Sequence, residues 1–410
     1  MAKVFIEETT LTAIGDAIRG KTGKTELIDP ANMHSEIASI EAGGGGGAEV
    51  PDVVITGSAS YACSGAVAGA FISSFPNKVT TKNITNGANM FYMSTIERVP
   101  FDINISKESD MNNFFHTCSN LVESPPIDCK HTTYHNVEYF FYNCSKLESI
   151  APVLNAYPTS ITNMFGGCSR LRTLPDDFFS SWNFSRLLTY NYANLASIFY
   201  SCYSLRRIPS SLFEKLKPGV LLNSYYNQLY YNMCCNCHVL DEVTNVPLPD
   251  ASVALTSAAF YNTTQYAGRL KRFTFATNDD GTPKVAKMKA QILDMTQSVG
   301  YNLNTTQVTK YNSGLTTATQ VTDDTSYQAL KNDPDYWTTT ASYSRYNHDS
   351  AVETINSLPD TSAYLASAGG TNTIKFVGAA GSKTDGGAIN TLTEEEIAVA
   401  AAKGWTVTLV

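Results

Sequence analysis

Bulky apolar residues between positions 90 and 240 recur in one fixed pattern. Two adjacent apolar residues are followed, after a gap of two, by a cysteine, and further apolar residues come three and six places later. The clearest copies are Phe114-Phe115-x-x-Cys118-x-x-Leu121, Phe140-Phe141-x-x-Cys144-x-x-Leu147-x-x-Ile150, Met164-Phe165-x-x-Cys168-x-x-Leu171-x-x-Leu174 and Ile198-Phe199-x-x-Cys202-x-x-Leu205-x-x-Ile208. Cysteines 118, 144, 168, 202 and 237 are 26, 24, 34 and 35 residues apart. A unit of about 25 residues, with insertions in two turns, predicts a solenoid.

Each copy predicts one coil of an α/β repeat solenoid. Phe165 and Cys168 are three residues apart and would share one face of a helical turn, and the segment from Leu171 would be extended until Pro175 ends it. Coils stacked roughly 4.8 Å apart would place every Phe, Cys and Leu between its equivalents and so form one continuous core. Further copies are Met233-Cys234-x-x-Cys237-x-x-Leu240, a short early copy at Met90-Phe91, and a decayed late copy at Ala259-Phe260 with Leu270 and Phe273.

The pattern divides the chain into five segments. We expect a helical attachment segment over residues 1–42, a glycine linker over 43–48, the solenoid over 49–275, a helix plus an unassigned Thr/Asn-rich region over 276–340, and a C-terminal capping unit over 341–410.

The attachment segment is predicted to contain two amphipathic helices, the first capped by Thr10 and the second begun by Pro30. Their apolar faces consist of Leu11, Ile14 and Ile18 in the first helix and Met33, Ile37 and Ile40 in the second. About forty residues cannot bury a sufficient core alone. We therefore expect these six residues to dock on a virion partner; the alternative is a marginal helical hairpin on a flexible arm.

After residue 275 the apolar spacing changes. A helix is predicted from Pro283 to Gly300, with Val285, Met288, Ile292 and Met295 on its apolar face. A second helix is expected from Ser350 to just before Pro359, and a third begins at Thr393, which forms a capping box with Glu396. Strands over 373–377 and 405–410 complete a helix-and-strand cap that would shield the open end of the stack.

The repeat Met-Phe-x-x-Cys-x-x-Leu-x-x-Leu-Pro, as found at residues 164–175, resembles the BspA-type leucine-rich repeats of bacterial surface proteins and bacteriophage tail proteins. The segment from Thr9 to Pro30 is similar to the start of many phage tail-associated proteins, and the segment from Asn372 to Leu409 resembles the closing unit of phage repeat proteins. These resemblances imply a leucine-rich-repeat body in a phage particle, and they identify no ligand.

Composition narrows the class of partner. Charged residues make up 16% of the chain, against about a quarter in typical proteins, and the net charge is -8. No Lys/Arg run accompanies the aromatic residues, so nucleic acid is not an expected partner. Neither a membrane span nor a secretory signal is apparent. We therefore expect a virion protein that is assembled in the host cytoplasm and does not insert into membranes.

Three kinds of motif in the chain suggest chemistry: a phosphate-loop match, a cysteine cluster and acidic pairs. Residues 15–22 match the phosphate-loop expression G-x-x-x-x-G-K-T, but they fall within a predicted helix and at its C-terminal end, where a phosphate would be repelled. Cys234, Cys235, Cys237 and His238 lack the paired spacing of a zinc site, and Cys237 already belongs to the repeat. The acidic pairs and the scattered histidines form no catalytic arrangement. We expect no catalytic, cofactor-binding or metal-binding residues, no cofactor and no enzymatic activity.

Tyrosines are the candidate contact residues. Tyr92, Tyr142, Tyr200 and Tyr261 each follow an apolar aromatic of the repeat by one position, which predicts a column of tyrosines outside the core. A second predicted patch in the longest insertion consists of Tyr225, Tyr226, Tyr230 and Tyr231. A tyrosine offers a flat apolar face and a hydroxyl to a sugar or a protein. The alternative is that these rings only pack between neighbouring coils.

The sequence thus favours a phage tail or baseplate-associated structural protein whose leucine-rich-repeat body binds a glycan or protein of the host surface. We expect it to contact other virion proteins through residues 1–42 and to form a homo-oligomer in the particle. The alternatives are a purely architectural component, such as a tail or capsid decoration, and a bacterial cell-surface adhesin.

Overall fold

The computed structural model describes residues 53–65, 79–99, 101, 103–105, 110–129, 135–185, 187, 195–216, 229–249, 254–255, 259–267, 270–297, 343–344, 346–377, 383–384 and 392–410. The predicted attachment segment, the glycine linker, Tyr225, Tyr226 and the Thr/Asn-rich residues 305–340 lie outside these ranges.

Short strands and few helices make up the regular structure of the described residues. The strands are β1 (Val53–Ser58), β2 (Val79–Asn86), β3 (Ile103–Asn104), β4 (Ile127–Asp128), β5 (His135–Asn136), β6 (Val153–Leu154), β7 (Pro158–Ser160), β8 (Glu242–Val246), β9 (Ala254–Leu255), β10 (Arg272–Phe275), β11 (Lys287–Met288), β12 (Ile292–Asp294), β13 (Tyr343–Ser344), β14 (Asn372–Phe376), β15 (Lys383–Thr384) and β16 (Trp405–Leu409). The helices are α1 (Ser210–Lys215), α2 (His348–Ser357), α3 (Ser362–Ala368) and α4 (Glu394–Ala402), with a 3₁₀ turn at Met295–Gln297.

Every pair formed by these strands is parallel. The order within the sheets is β1-β2, β3-β4-β6, β5-β7, β8-β10, β9-β11, β12-β14-β16 and β13-β15. Parallel neighbours need a long crossover between them. From β1 to β11 the paired strands begin 23 to 33 residues apart, which is about the length of one repeat unit. In this part of the chain the paired strands therefore belong to neighbouring coils.

Backbone hydrogen bonds between the Phe-Phe turns define eight successive coils in register. We call the second apolar residue of each copy the inner position; its N–H donates to the carbonyl oxygen of the residue that precedes the inner position in the next coil. In chain order the inner positions are Cys63, Phe91, Phe115, Phe141, Phe165, Phe199, Cys234 and Thr264. The late copy is therefore Thr263-Thr264-x-x-Ala267-x-x-Leu270, and the sequence prediction that placed it at Ala259-Phe260 is wrong by four residues.

The Phe-Phe segment is a series of tight turns and not the predicted helical turn. In coil 2, Tyr92 N–H donates to Asn89 O and Ser94 N–H to Phe91 O, each across three residues. The residues two before and two after every inner position have φ between 52° and 78°; they are Tyr61, Asn89, Asn113, Tyr139, Asn163, Ser197, Asn232 and Asn262 before it, and Gly65, Met93, Thr117, Asn143, Gly167, Ser201, Asn236 and Tyr266 after it. Asn and Gly favour this left-handed conformation, and it prevents a continuous α-helix.

The core consists of aromatic rings stacked from coil to coil. Phe115 and Phe141 have ring centroids 5.4 Å apart at 4°, and Phe165 and Phe199 are 5.5 Å apart at 5°. These rings are buried. The repeat cysteines lie beside them, and all nine cysteines of the chain are free and buried.

The predicted helix from Pro283 to Gly300 is wrong over residues 283–297, the part of it that the structure describes. Its place is taken by β11 and β12, whose pairing partners are β9 and β14. Val285 and Ile292 are 61% and 50% exposed, so the residues expected on one apolar face do not face the core together. Apolar spacings of three and four residues fit two short strands separated by a turn as well as they fit a helix. Strands form here because the backbones of β9 and β14 pair with this segment.

The C-terminal predictions are confirmed in their main elements. Thr393 and Glu396 form the capping box of α4, and β14 and β16 lie within one residue of the predicted strands. Helix α2 packs on the end of the repeat, where Thr354 Oγ1 donates to Phe273 O and Phe275 N–H donates to Ser357 Oγ. Helix α3 was not predicted, because Ser362–Ala368 presents no buried residue and so carries no apolar periodicity.

Candidate recognition surface

The residue after each inner position forms a column on the outside of the Phe-Phe turns, which we call the outer column. It consists of Ser64, Tyr92, His116, Tyr142, Gly166, Tyr200, Cys235 and Gln265. The column arises because a left-handed residue follows each member directly and the inner residue precedes it, so that the chain turns back around it. Its aromatic members Tyr92, His116, Tyr142 and Tyr200 are partly exposed.

Three rings of the outer column form a continuous stack. The ring centroids of Tyr92 and His116 are 5.0 Å apart at 25°, and those of His116 and Tyr142 are 5.1 Å apart at 33°. Each coil step therefore adds one ring. Because the ring faces cover one another, the stack offers its edges and its phenolic hydroxyls to the outside, and it does not offer open aromatic faces.

Two more tyrosines flank this stack at left-handed positions. Tyr61 contacts Tyr92 edge to face at 6.3 Å, and Tyr139 contacts Tyr142 in the same manner at 5.3 Å and 79°. Edge-to-face contacts of this kind stabilise aromatic pairs by about 0.5–1.5 kcal/mol. The stack is therefore stabilised by ring contacts between neighbouring coils and, at Tyr139 and Tyr142, by a ring contact within one coil.

Gly166 makes room for Tyr142 in the next coil. A Cβ atom on Gly166 would lie 3.0 Å from Cδ2 and 3.1 Å from Cε2 of the Tyr142 ring. The backbone of Gly166 is therefore in contact with one side of that ring, and His116 covers the other. A Cβ atom at position 166 would require the Tyr142 ring to move by a few tenths of an ångström.

The outer column contains no Asp, Glu, Lys or Arg side chain. Burial lowers the pKa of His116, whose Nδ1 lies 2.8 Å from Thr117 Oγ1. Burial also raises the pKa of Tyr142, with a further contribution from the nearby Tyr200 and Tyr139 hydroxyls. Neutral hydrogen-bonding groups suit a polyhydroxyl or protein surface better than a charged polymer.

Two of the tyrosine predictions need correction. Tyr230 is fully buried and its hydroxyl donates to Pro247 O, because the coil register places it in the core at the position equivalent to Met111 and Leu195. Tyr261 does not belong to the outer column; it lies four residues earlier in its coil and stacks on Tyr231 at 5.4 Å. Tyr92, Tyr142 and Tyr200 do share the predicted column.

Sequence reasoning missed His116 and Gly166 as members of the column, because it searched for tyrosine alone. The signal that identifies them is a pair of Asn, Gly or Thr residues four apart around the inner Phe, namely Asn113 with Thr117 and Asn163 with Gly167. In both pairs the residue just before the second member belongs to the outer column.

Among the described residues, no group of three or more His, Cys, Asp and Glu side chains is placed to hold a metal ion. In the Cys234 to His238 segment, the Cys237 thiol donates to Phe199 O, and the His238 ring stacks on Tyr203 at 4.9 Å. The described part of the chain also contains no helix of the length and hydropathy needed to cross a membrane.

Comparison of the chain with protein-family models, with curated protein sequences and with solved structures gave no match.

Proposed function

We propose that this chain is a tail- or baseplate-associated protein of a bacteriophage and that its body is a leucine-rich-repeat solenoid of the BspA type. In this proposal the body binds the host cell surface through the outer column. The phage context is supported by the resemblance of the two ends of the chain to phage tail-associated and phage repeat proteins. The repeat assignment is supported by the period of the Phe-x-x-Cys-x-x-Leu pattern and by the parallel, in-register coils.

The outer column is the observation that carries the binding proposal. It places partly exposed rings on three successive coils, at Tyr92, His116 and Tyr142, and a further ring at Tyr200 beyond Gly166, and each of the three tyrosines contributes a phenolic hydroxyl. A solenoid binds through side chains that recur at one coil position, because the stack converts that position into a line. Hydroxyls along such a line would donate to and accept from hydroxyls or amides of a surface ligand.

An adsorption competition tests this function. The purified full-length chain, added to host cells before the phage, should occupy the receptor and reduce phage adsorption in a concentration-dependent way. An antibody against the chain should label the tail or baseplate of intact particles in electron micrographs. Labelling elsewhere on the particle, or normal adsorption at saturating chain concentration, would count against the proposal.

An architectural role is the second candidate, and the coverage of the ring faces favours it. Tyr92, His116 and Tyr142 stabilise neighbouring coils by stacking on one another, so the column has a structural function even without a ligand. In that case the antibody would still label the tail or baseplate, but the added chain would not reduce phage adsorption.

A further inference from the structure

A groove of about 750 Å³ runs across successive coils on a different part of the surface from the outer column. Its walls include Asp176, Arg207, Glu242 and Asn245, and its floor includes Phe213 and Leu248. Small-molecule sites in proteins have volumes of roughly 300–1,000 Å³ and combine an apolar lining with a few fixed polar groups. The groove has a volume in this range, and its lining is more polar than that of a typical small-molecule site, since nine of its fifteen lining residues are polar or charged.

Two carboxylates of the groove, those of Asp176 and Glu242, form ion pairs with arginines. Arg207 lies 3.7 Å from the Asp176 carboxylate. Arg272, outside the groove, contacts Glu242 at 3.2 Å with one guanidinium nitrogen and Glu353 at 2.6 Å with another. Because Arg272 is fixed by both carboxylates, it restricts the orientation of Glu242. Side chains that are already ordered lose less entropy when a ligand binds.

Asn245 is fixed through its backbone. It has φ of 59°, and its N–H donates to Thr274 Oγ1 at 3.1 Å. Its side chain is exposed at the groove. An amide carries two donors and an acceptor, so it can recognise a group that both donates and accepts hydrogen bonds.

The floor of the groove is apolar because α1 lies beside the coils. Helix α1 begins directly after Pro209 and buries Leu212 and Phe213 against the core. Leu216, Pro247 and Leu248 lie beneath it and are almost inaccessible to solvent. The apolar area open to C–H groups of a ligand comes from Ile208 and Ala276, which are partly exposed, and from the accessible edge of Phe213.

The charge balance of the lining selects among ligand classes. Three carboxylates, those of Asp176, Glu214 and Glu242, face two cations, Arg207 and Lys284. A polyanion would be repelled by the carboxylates, and an apolar ligand would leave the charged groups desolvated. Carboxylates, an amide and a guanidinium over an apolar floor match a ring that carries hydroxyls on its rim and C–H groups on its face.

We propose that this groove binds a neutral oligosaccharide. The carboxylates of Asp176 and Glu242 accept from sugar hydroxyls, Arg207 donates to sugar oxygens, the Asn245 amide does both, and the floor around Phe213 packs against a sugar ring. Binding here does not require the outer column, so the two sites can be tested separately.

The test uses the full-length chain on a printed array of neutral bacterial-surface oligosaccharides, followed by titration calorimetry of the oligosaccharide that is retained. The variant combines Asn245→Gly with Asp176→Ala, since glycine keeps the left-handed backbone of residue 245. Asn155→Gly is the matched control, because Asn155 has φ of 57° and does not line the groove. We expect at least a tenfold weaker Kd for the groove variant and an unchanged Kd for the control.

A second measurement does not depend on any variant. Hydrogen–deuterium exchange of the unaltered chain with the retained oligosaccharide should show protection over Glu242–Val246. If the array retains no neutral oligosaccharide, or if the groove variant binds as tightly as the parent chain, the groove is not a glycan site. Replacement of Tyr92, Tyr142 and Tyr200 by Phe should leave this Kd unchanged, so failure of the groove proposal is distinguishable from failure of the outer column.

Discussion

The thiol of Cys168 donates a hydrogen bond to the carbonyl oxygen of Phe141, 3.1 Å away in the preceding coil. The same bond joins Cys118 to Phe91, Cys144 to Phe115, Cys202 to Phe165 and Cys237 to Phe199. The repeat cysteine is thus a small apolar residue that also links each coil to the one before it. Other small residues would either leave this bond unmade or bury a more polar group.

Substitutions at Cys168 should separate these two properties. Cys168→Ala removes the donor and a small volume, and Phe141 O still accepts from Cys144 N–H, so the free energy of unfolding should fall by only about 1 kcal/mol. Cys168→Leu overpacks a fully buried position and should cost about 1–3 kcal/mol. Urea unfolding of the two variants checks the order. If Cys168→Ala lowered the free energy of unfolding as much as Cys168→Leu or more, the tight packing around the repeat cysteines would be contradicted.

The same thiols should be unreactive in the folded chain. Burial raises the pKa of Cys144, Cys168 and Cys202 well above the ordinary value, and the reactive thiolate is therefore absent at neutral pH. A thiol reagent should not modify these cysteines in the folded chain. It should modify them after denaturation, and no reductant should be needed. If these cysteines were found oxidised under denaturing, non-reducing conditions, the repeat cysteines would not be free thiols.

Left-handed positions should tolerate glycine and reject alanine. Asn163 has φ of 54°, and an L side chain without a local hydrogen bond pays about 1–2 kcal/mol for this conformation. Asn163→Ala should therefore lower the free energy of unfolding by about that amount, whereas Asn163→Gly should change it by less. Two equally destabilised variants would indicate that the Asn side chain, and not the backbone, matters at this position.

Stability should decrease in mild acid because of His238. Burial lowers the pKa of this residue to about 3 in the folded chain, and the value in the unfolded chain is about 6.5. The unfolded state therefore binds more protons between these values, so this contribution is complete above about pH 6.5 and is lost as the pH falls. From pH 7 to pH 5 the loss should be about 2 kcal/mol.

His238→Phe provides the comparison, because it keeps a ring against Tyr203 and removes the titration. Urea unfolding at both pH values should show a loss that is smaller by about 2 kcal/mol in the variant. The same pH dependence in both chains would mean that other groups dominate.

How far the sequence determines this structure differs from element to element. The Thr393 to Glu396 capping box was readable because a cap depends on neighbours three residues apart. The period of the coils could be predicted because each copy of the pattern packs against equivalent residues and therefore keeps similar residue types at the same positions. Tyr230 was misplaced because a long insertion precedes it, and no local pattern shows where the coil register resumes. The groove could not be predicted, since Asp176, Arg207 and Glu242 belong to different coils and meet only through stacking.

Residues 1–42 should be required for incorporation into particles. Their apolar positions, from Leu11 to Ile40, are too few to form an independent core. A chain that begins at residue 48 should fold and remain soluble, and particles produced in its presence should lack it. Incorporation of the truncated chain at the parental level would place the attachment site elsewhere.

The central claim is that the outer column binds the host surface, and the adsorption competition with hydroxyl-deleted chains tests it most directly. Combined replacement of Tyr92, Tyr142 and Tyr200 by Phe removes three hydroxyls and keeps the ring stack, whereas serine would also destroy the stacking. The control replaces Tyr231 and Tyr261 by Phe, since this stacked pair lies outside the column.

Each hydroxyl should contribute about 0.5–1.5 kcal/mol to binding. The triple variant should therefore need at least about a tenfold higher concentration to halve phage adsorption, with an unchanged melting temperature, and the control should match the parent chain. Equal inhibition by the triple variant and the parent chain would contradict recognition through the outer column.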